Sequence, residues 1–341
     1  MRKPNFDNML KVLRKEVPSR TTLFELFMNY RLYERLTGRT LPENASEMEA
    51  MKLVIDGYAA AGYDYATTHG CESFSFGTGD RLTVSSHIKT TSLNTGFCIN
   101  DRATYERFRW SDPDQFNYSR LQKARELLPE GMKLMVMGPG GVLENAISLV
   151  GYDNLCLLLY DDPDLVQEIF DQIGSRLLGY YANAVQYESV GFVCSNDDWG
   201  FNTQTFLSLD DMRKYVFPWH KKIVELSHAN GKPCILHSCG FFTDVMDDVI
   251  DDMKYDGKHS FEDNILPIED SYEKWNPRIA LLGGIDVDFI IKATPEQIKT
   301  RCRKMIERTA GRGGYCLGTG NSVPEYIPQE NYMAMISIID E

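Results

Sequence analysis

The chain has no run of 18 uninterrupted apolar residues, which excludes a simple membrane-spanning helix on length alone. It has no surplus of positive charge. Its 36 Lys and Arg stand against 49 Asp and Glu, a net charge of −13, which argues against a nucleic-acid partner because affinity for a phosphate backbone comes from cationic side chains. The N-terminus opens Met1-Arg2-Lys3 but soon meets Asp7 and Glu16, without the apolar stretch or cleavage pattern of a signal peptide. The eight cysteines include no CxxC pair, and 341 residues form a core without disulfide staples, so a reduced, cytoplasmic setting is expected. A P-loop, a GxGxxG turn, an HExxH helix and a GxSxG elbow are also missing. Gly138-Pro139-Gly140-Gly141 lacks both the Walker lysine and the dinucleotide spacing, so nucleotide cofactors are not expected.

What is present is an ordinary globular composition, 43% hydrophobic and 25% charged. From about residue 60, short β-type runs alternate with longer helical patterns, the signature of parallel βαβ units. The candidate strands are 64–68, 133–137, 191–196, 233–237, 254–260, 278–285 and 314–318, with an eighth expected around residues 73–98. Single α/β barrels commonly exceed 250 residues, so the expected architecture is one α/β domain, a (β/α)8 TIM barrel over residues 61–341. Residues 1–60 are expected as an N-terminal helical extension packed on one end of the barrel, with Phe6, Met9, Leu10 and Leu13 at amphipathic spacing and Leu23, Phe24, Phe27 and Met28 continuing it.

Three barrel helices carry local signals. Ser208 caps one that Gly231 ends, and Thr294-Pro295 with Gln297 forms a capping box with proline at the first turn. A third runs over 163–188 with an apolar stripe through Leu165, Ile169, Phe170, Ile173 and Leu177. The series Asp244, Asp247, Asp248, Asp251 and Asp252 reads as a solvated helix face opposite Val245 and Val249. Residues 80–125, with Tyr105, Phe108, Trp110 and Phe116, form a long excursion that serves as a lid or as packing.

The chemistry concentrates at strand ends. Lys232-Pro233-Cys234-Ile235-Leu236-His237-Ser238-Cys239-Gly240 is a buried-type strand ending in His-Ser-Cys-Gly. Residues two apart share a strand face, so His237 and Cys239 point together while Cys234 points away. An imidazole and a thiolate at the C-terminal end of a barrel strand make a half-site for zinc. The competing reading is a hydrogen-bonded strand-end histidine and a small residue before a tight turn. Cys316, on the last strand, is the candidate third ligand. Cys194-Ser195-Asn196-Asp197-Asp198-Trp199 carries another strand into a loop, where Asp197 and Asp198 either do acid–base or cation chemistry or cap local backbone. Glu72, in His69-Gly70-Cys71-Glu72, follows the first strand and is the third catalytic candidate.

Together, Cys194 to Phe201, Gly231 to Gly240, Ala280-Leu281-Leu282-Gly283-Gly284-Ile285-Asp286 and the Thr319–Met335 region resemble the uroporphyrinogen decarboxylase superfamily. True decarboxylases of this family open with an Arg-Gln-Ala-Gly-Arg segment that grips substrate propionates, and here Met28-Asn29-Tyr30-Arg31-Leu32 stands in the comparable region. The His-x-Cys…Cys pattern is instead similar to that of methylcobamide:coenzyme M methyltransferases and related corrinoid-dependent demethylases. That resemblance implies zinc on His237, Cys239 and Cys316, with Glu262, Asp198 or Glu72 completing the site if Cys316 cannot reach. It implies transfer of a methyl group between a small thiol or methyl ether and a corrinoid. No Asp-x-His-x-x-Gly cobalamin loop is present, so the corrinoid is expected on a partner protein. The alternatives are tetrapyrrole decarboxylation and a non-catalytic small-molecule-binding barrel, which metal content distinguishes.

Overall fold

The computed structural model describes residues 2–76, 93–94 and 97–340. Seven parallel strands pair in sequence order: β1 (Tyr65–His69), β2 (Lys133–Met137), β3 (Val190–Asn196), β4 (Cys234–His237), β5 (Gly257–His259), β6 (Ala280–Leu282) and β7 (Tyr315–Cys316). Parallel neighbours require crossovers, and helices supply them, as in a TIM-like α/β fold. All seven anticipated strands are present, each shifted or trimmed by no more than a few residues. Most of the eighth, anticipated around 73–98, lies outside the described residues.

Residues 23–28 are not helical, contrary to expectation. Leu23 forms a parallel bridge with Leu317 and Met28 with Val323; Phe24 N–H donates to Leu317 O at 2.8 Å, and Leu317 N–H donates to Thr22 O at 2.9 Å. A short, largely apolar run, interrupted here at Glu25, fits a buried strand as well as a helix, and periodicity cannot separate the two over so few residues. On its other side this segment meets β1 through side chains. Glu25 N–H donates to the Tyr65 hydroxyl at 2.8 Å, and that hydroxyl donates to Glu25 O at 2.6 Å. A tyrosine thus occupies the place of a backbone ladder.

The helix Asp7–Leu13 buries Met9, Val12 and Leu13. Phe6 lies against Gly191 and Leu13 against Gly257, both at the starts of strands, so the N-terminal segment seals that end of the sheet. The opposite end, where strands run out into loops, is left for the site. The expected caps are in place. Ser208 Oγ accepts from Asp211 N–H, the Thr294–Gln297 capping box forms, and the helix Pro163–Ala184 buries its apolar stripe. The acidic face is solvated, with Asp247 and Asp251 paired to Arg278 and Asp248 to Arg213. The described part of the 80–125 excursion packs. Trp110 meets Phe108 edge to face and lies under Arg176, while Phe116 contacts Phe74, itself stacked on Tyr180. Among the described residues no single helix is long and apolar enough to cross a membrane; only the pair Val142–Val150 and Tyr152–Asp161, bent by 93°, passes by length and composition.

Candidate metal centre

Register decides which side chains meet. Asn196 pairs with His237 and His237 with His259, so the ends of β3, β4 and β5 lie at one level. His237 is buried at the end of β4, Cys239 follows two residues later, and Asp198 leaves β3 beside them. The donor atoms of these three lie within 4.8 Å of one another. Asp198 Oδ1 accepts the Cys239 backbone N–H at 2.9 Å, which fixes the carboxylate against the His-Ser-Cys turn. The turn closes tightly at Gly240, φ +83°, where a Cβ would sit 2.0 Å from Gly200 O.

The donor set fits zinc. A tetrahedral site with Zn–N near 2.05 Å and Zn–S near 2.3 Å holds nitrogen and sulfur about 3.6 Å apart, and His237 Nε2 lies 3.6 Å from Cys239 Sγ. Burial pulls His237 down to about 4, leaving the neutral imidazole that a metal ligand must be. Burial, with the charge of Asp198 added, pushes the Cys239 thiol well up; a cation at this point reverses that balance, since a coordinating thiol is deprotonated.

Residues beyond the expected set complete the surroundings. Asn321 Nδ2 donates to Cys239 Sγ at 3.2 Å, and its orientation is set by Ser322 N–H donating to Asn321 Oδ1 at 2.8 Å. Lys258 is fully buried, donating to Ser260 O at 2.5 Å and Ser238 O at 3.3 Å between the Phe242 and Phe261 rings. Burial lowers it to about 7. His259 contacts His237 through their Nδ1 atoms at 2.9 Å. His259 falls within the anticipated fifth strand, two residues from Gly257 on the same face, and strand parity was the signal for it. Asn321, in a glycine turn, gave none.

Cys316 does not join the cluster. It pairs with Leu282, and its Sγ faces Met9 Sδ at 3.9 Å, toward the sealed end. The strand is too short to carry that residue to the mouth; the turn after it, through Asn321, reaches the site instead. Asp198 stands in the third position. Asp197 points the other way, into the helix layer. Its Oδ2 accepts from Leu143 N–H at 2.9 Å, Trp199 Nε1 at 3.0 Å and His220 Nε2 at 2.9 Å, and its Oδ1 from Glu144 N–H at 2.9 Å. This caps the helix Val142–Val150, and it explains Gly141, where a Cβ would lie 2.1 Å from the Asp197 side chain. Glu72 is exposed and does not join the cluster; it stands between a pocket shared with Glu47, Arg120 and Lys123 and a cleft of about 380 Å³ that reaches His69 and Met137 at the ends of β1 and β2.

Next to the cluster, and reaching it through Asn321, opens a cleft of about 980 Å³ lined by Phe261, Glu262, Asp286, Phe289 and Tyr326 among others.

These features define a candidate metal centre at the strand-end mouth of a parallel α/β enzyme fold. The chain belongs to the uroporphyrinogen decarboxylase (URO-D) family, whose model matches residues 99–341. It is 22% identical over 214 residues to the uroporphyrinogen decarboxylase of Ruthia magnifica subsp. Calyptogena magnifica, a match covering 60% of this chain and 56% of that protein. Against the Methylococcus capsulatus uroporphyrinogen decarboxylase it is 26% identical over 185 residues, covering 54% and 51%. The chain thus spans about half the length of the curated relatives it matches. A methyltransferase from Methanosarcina mazei has the same fold, with a TM-score of 0.69 at 17% identity, covering 98% of this chain and 97% of that one.

Proposed function

We propose that this chain is a zinc-dependent methyltransferase that moves a methyl group between a small thiol or methyl ether and a corrinoid carried by a partner protein. The observation that carries the reading is the convergence of Asp198, His237 and Cys239. Zinc bound there supplies a Lewis acid that lowers the pKa of a thiol or polarises an ether oxygen. Three protein ligands are the number that leaves a tetrahedral position for substrate.

The residues divide the work. His237 presents a neutral nitrogen, Cys239 a sulfur that gives up its proton to bind, and Asp198 a carboxylate oriented by the Cys239 backbone. Asn321 donates to the sulfur and holds it in place. The adjoining cleft accommodates the substrate. Its described lining includes Glu262, Asp263, Asp286 and Asp288 against Lys292 alone among the basic residues, and Asp288 already pairs with that lysine. Asp263 is likewise paired, with Arg301, so this described lining offers a polycarboxylate no unpaired cation, which supports methyl transfer over tetrapyrrole decarboxylation. Arg31, in the region where decarboxylases carry their arginine cluster, is exposed on the helix Tyr30–Thr37. The same reading takes the sheet to close as a (β/α)8 barrel behind the N-terminal residues 1–60, in a cytoplasmic protein.

The test is zinc stoichiometry together with methyl-corrinoid turnover on candidate thiols and methyl ethers. Cys239→Ser is expected to lose most bound zinc and all turnover, while Cys234→Ser, on the other strand face, keeps both. Equal zinc in Cys239→Ser and wild type removes the metal site. Conversion of uroporphyrinogen to coproporphyrinogen by the purified protein restores the decarboxylase reading.

A further inference from the structure

The imidazoles of His237 and His259 meet through like atoms, Nδ1 to Nδ1 at 2.9 Å. Two lone pairs at that separation repel and two N–H groups clash, so one nitrogen donates and the other accepts. What lies beyond His259 decides which. Its Nε2 is 3.2 Å from Thr319 O, and a carbonyl only accepts, so His259 carries its proton on Nε2. In a neutral ring the Nδ1 of His259 is then the acceptor. His237 must therefore donate from Nδ1, leaving its Nε2 lone pair toward Cys239 Sγ and Asp198.

Thr319 is itself immobilised. Its N–H donates to Glu25 Oε1 at 2.6 Å, its hydroxyl lies 2.7 Å from Glu25 Oε2, and its carbonyl also accepts Gly284 N–H at 2.8 Å. Phe24 packs its ring 4.8 Å from that of His259. Gly283 leaves the room this contact needs, since a Cβ there would lie 2.2 Å from Thr319 O and 3.2 Å from His259 Nε2. The sequence of contacts Glu25, Thr319, His259, His237 thus orients without conducting a proton, because a backbone carbonyl sits in its middle.

We propose that His259 is a positioning residue that sets the tautomer of His237, and so dictates that Nε2 is the nitrogen presented to the metal centre. Metal-bound histidines generally donate their second nitrogen to a fixed acceptor, and removing that acceptor typically costs about 10–100-fold in metal affinity. Here the acceptor is another histidine, whose own tautomer is locked by a main-chain carbonyl. The consequence for zinc rests on the reading of Asp198, His237 and Cys239 as ligands; the tautomer itself does not.

The experiment uses the full chain labelled with 15N-histidine. Long-range 15N–1H correlation of the metal-free protein reports which ring nitrogen of each histidine bears the proton, and His237→Gln assigns the His237 signal. Wild-type His237 is expected with its proton on Nδ1. His259→Asn places an amide oxygen near the former Nδ1, so the same tautomer and near wild-type zinc affinity are expected. His259→Phe removes the acceptor, so a mixture of His237 tautomers and a roughly 10–100-fold weaker affinity for zinc alone, measured against a chelator, are expected. A wild-type His237 protonated on Nε2 overturns the proposal, as does His259→Phe with the wild-type tautomer and zinc affinity. Should His259→Phe fail a circular dichroism check of folding, the wild-type spectrum and His259→Asn still decide the matter. Absence of zinc binding by wild type sinks the methyltransferase reading while leaving the tautomer to be read.

Discussion

Asp197 and Asp198 are neighbours in sequence and belong to two clusters of similar composition. On the helix side, Asp197 meets His220 Nε2, and His220 Nδ1 in turn lies 3.0 Å from Ser195 Oγ and 2.7 Å from Tyr255 O–H. On the mouth side, Asp198 meets His237 and Cys239. The outer cluster has the residue types of a hydrolase triad, yet it is closed. Asp197 accepts four hydrogen bonds, and both His220 nitrogens are engaged within the buried cluster. The inner cluster is open, with an imidazole nitrogen, a sulfur and a carboxylate converging on a point beside a cleft. Residue types do not separate structure from function here; whether the donor atoms are already satisfied by the protein does.

That contrast can be broken most sharply at Asp197. Asp197→Ala leaves two helix N–H groups, an indole N–H and His220 without their acceptor in a fully buried place. The expected cost is about 3–5 kcal/mol of stability in urea titration, with zinc per folded molecule unchanged. Loss of zinc without loss of stability would move Asp197 into the metal centre.

Glu25, beneath the mouth, sharpens the comparison through pH. Burial raises its carboxyl from 4.5 to about 8, against hydrogen bonds from Thr319. Between these values the unfolded chain releases a proton that the native chain keeps. Stability from this group is therefore full below pH 4.5 and declines toward pH 8, at about 1.4 kcal/mol per pH unit. The Thr319 hydroxyl agrees with a protonated Glu25: it lies 2.7 Å from both Glu25 Oε2 and Asn321 O, and its single proton serves both only if Glu25 supplies the other. Glu25→Gln should lack that slope, so the gap between the mutant and wild-type unfolding free energies should change by about 1.4 kcal/mol per pH unit from pH 5 to 8. A parallel pair of curves would mean that Glu25 is ionised in the native protein.

Asp198→Ala is the counterpart of the first change. It removes one hydrogen bond at a half-buried position, worth about 1 kcal/mol, but should weaken zinc binding at least tenfold as read by chelator competition. Unchanged zinc affinity would leave His237 and Cys239 short of a third ligand. The smallest effect on zinc is expected at Cys316, where Cys316→Ser should lose no zinc, since its sulfur faces Met9 away from the cluster, and should cost only about 1–3 kcal/mol for the buried hydroxyl.

Much of this was legible before folding. The alternation of strands and helices, the capping residues of the helices beginning at Ser208 and Thr294, and the shared face of His237 and Cys239 follow from local rules of period and turn chemistry. The extended course of residues 23–28 was not legible, because five apolar residues around Glu25 are too few for periodicity to separate a buried strand from a buried helix. The third ligand was not legible either. Asp197, Asp198 and Cys316 each stood at or near a strand end, and position along the chain says nothing of which way a side chain turns once its strand has ended.

The sequence by itself determined that this is a parallel α/β chain of the URO-D family with a His-x-Cys pair at the end of its fourth strand, because periodicity, caps and residue types are local properties. Only the tertiary structure decided that Asp198 rather than Asp197 or Cys316 joins that pair, and that His259 stands behind His237. Those outcomes depend on the register between β3, β4 and β5 and on where β7 stops, which are set by packing among segments far apart in the chain.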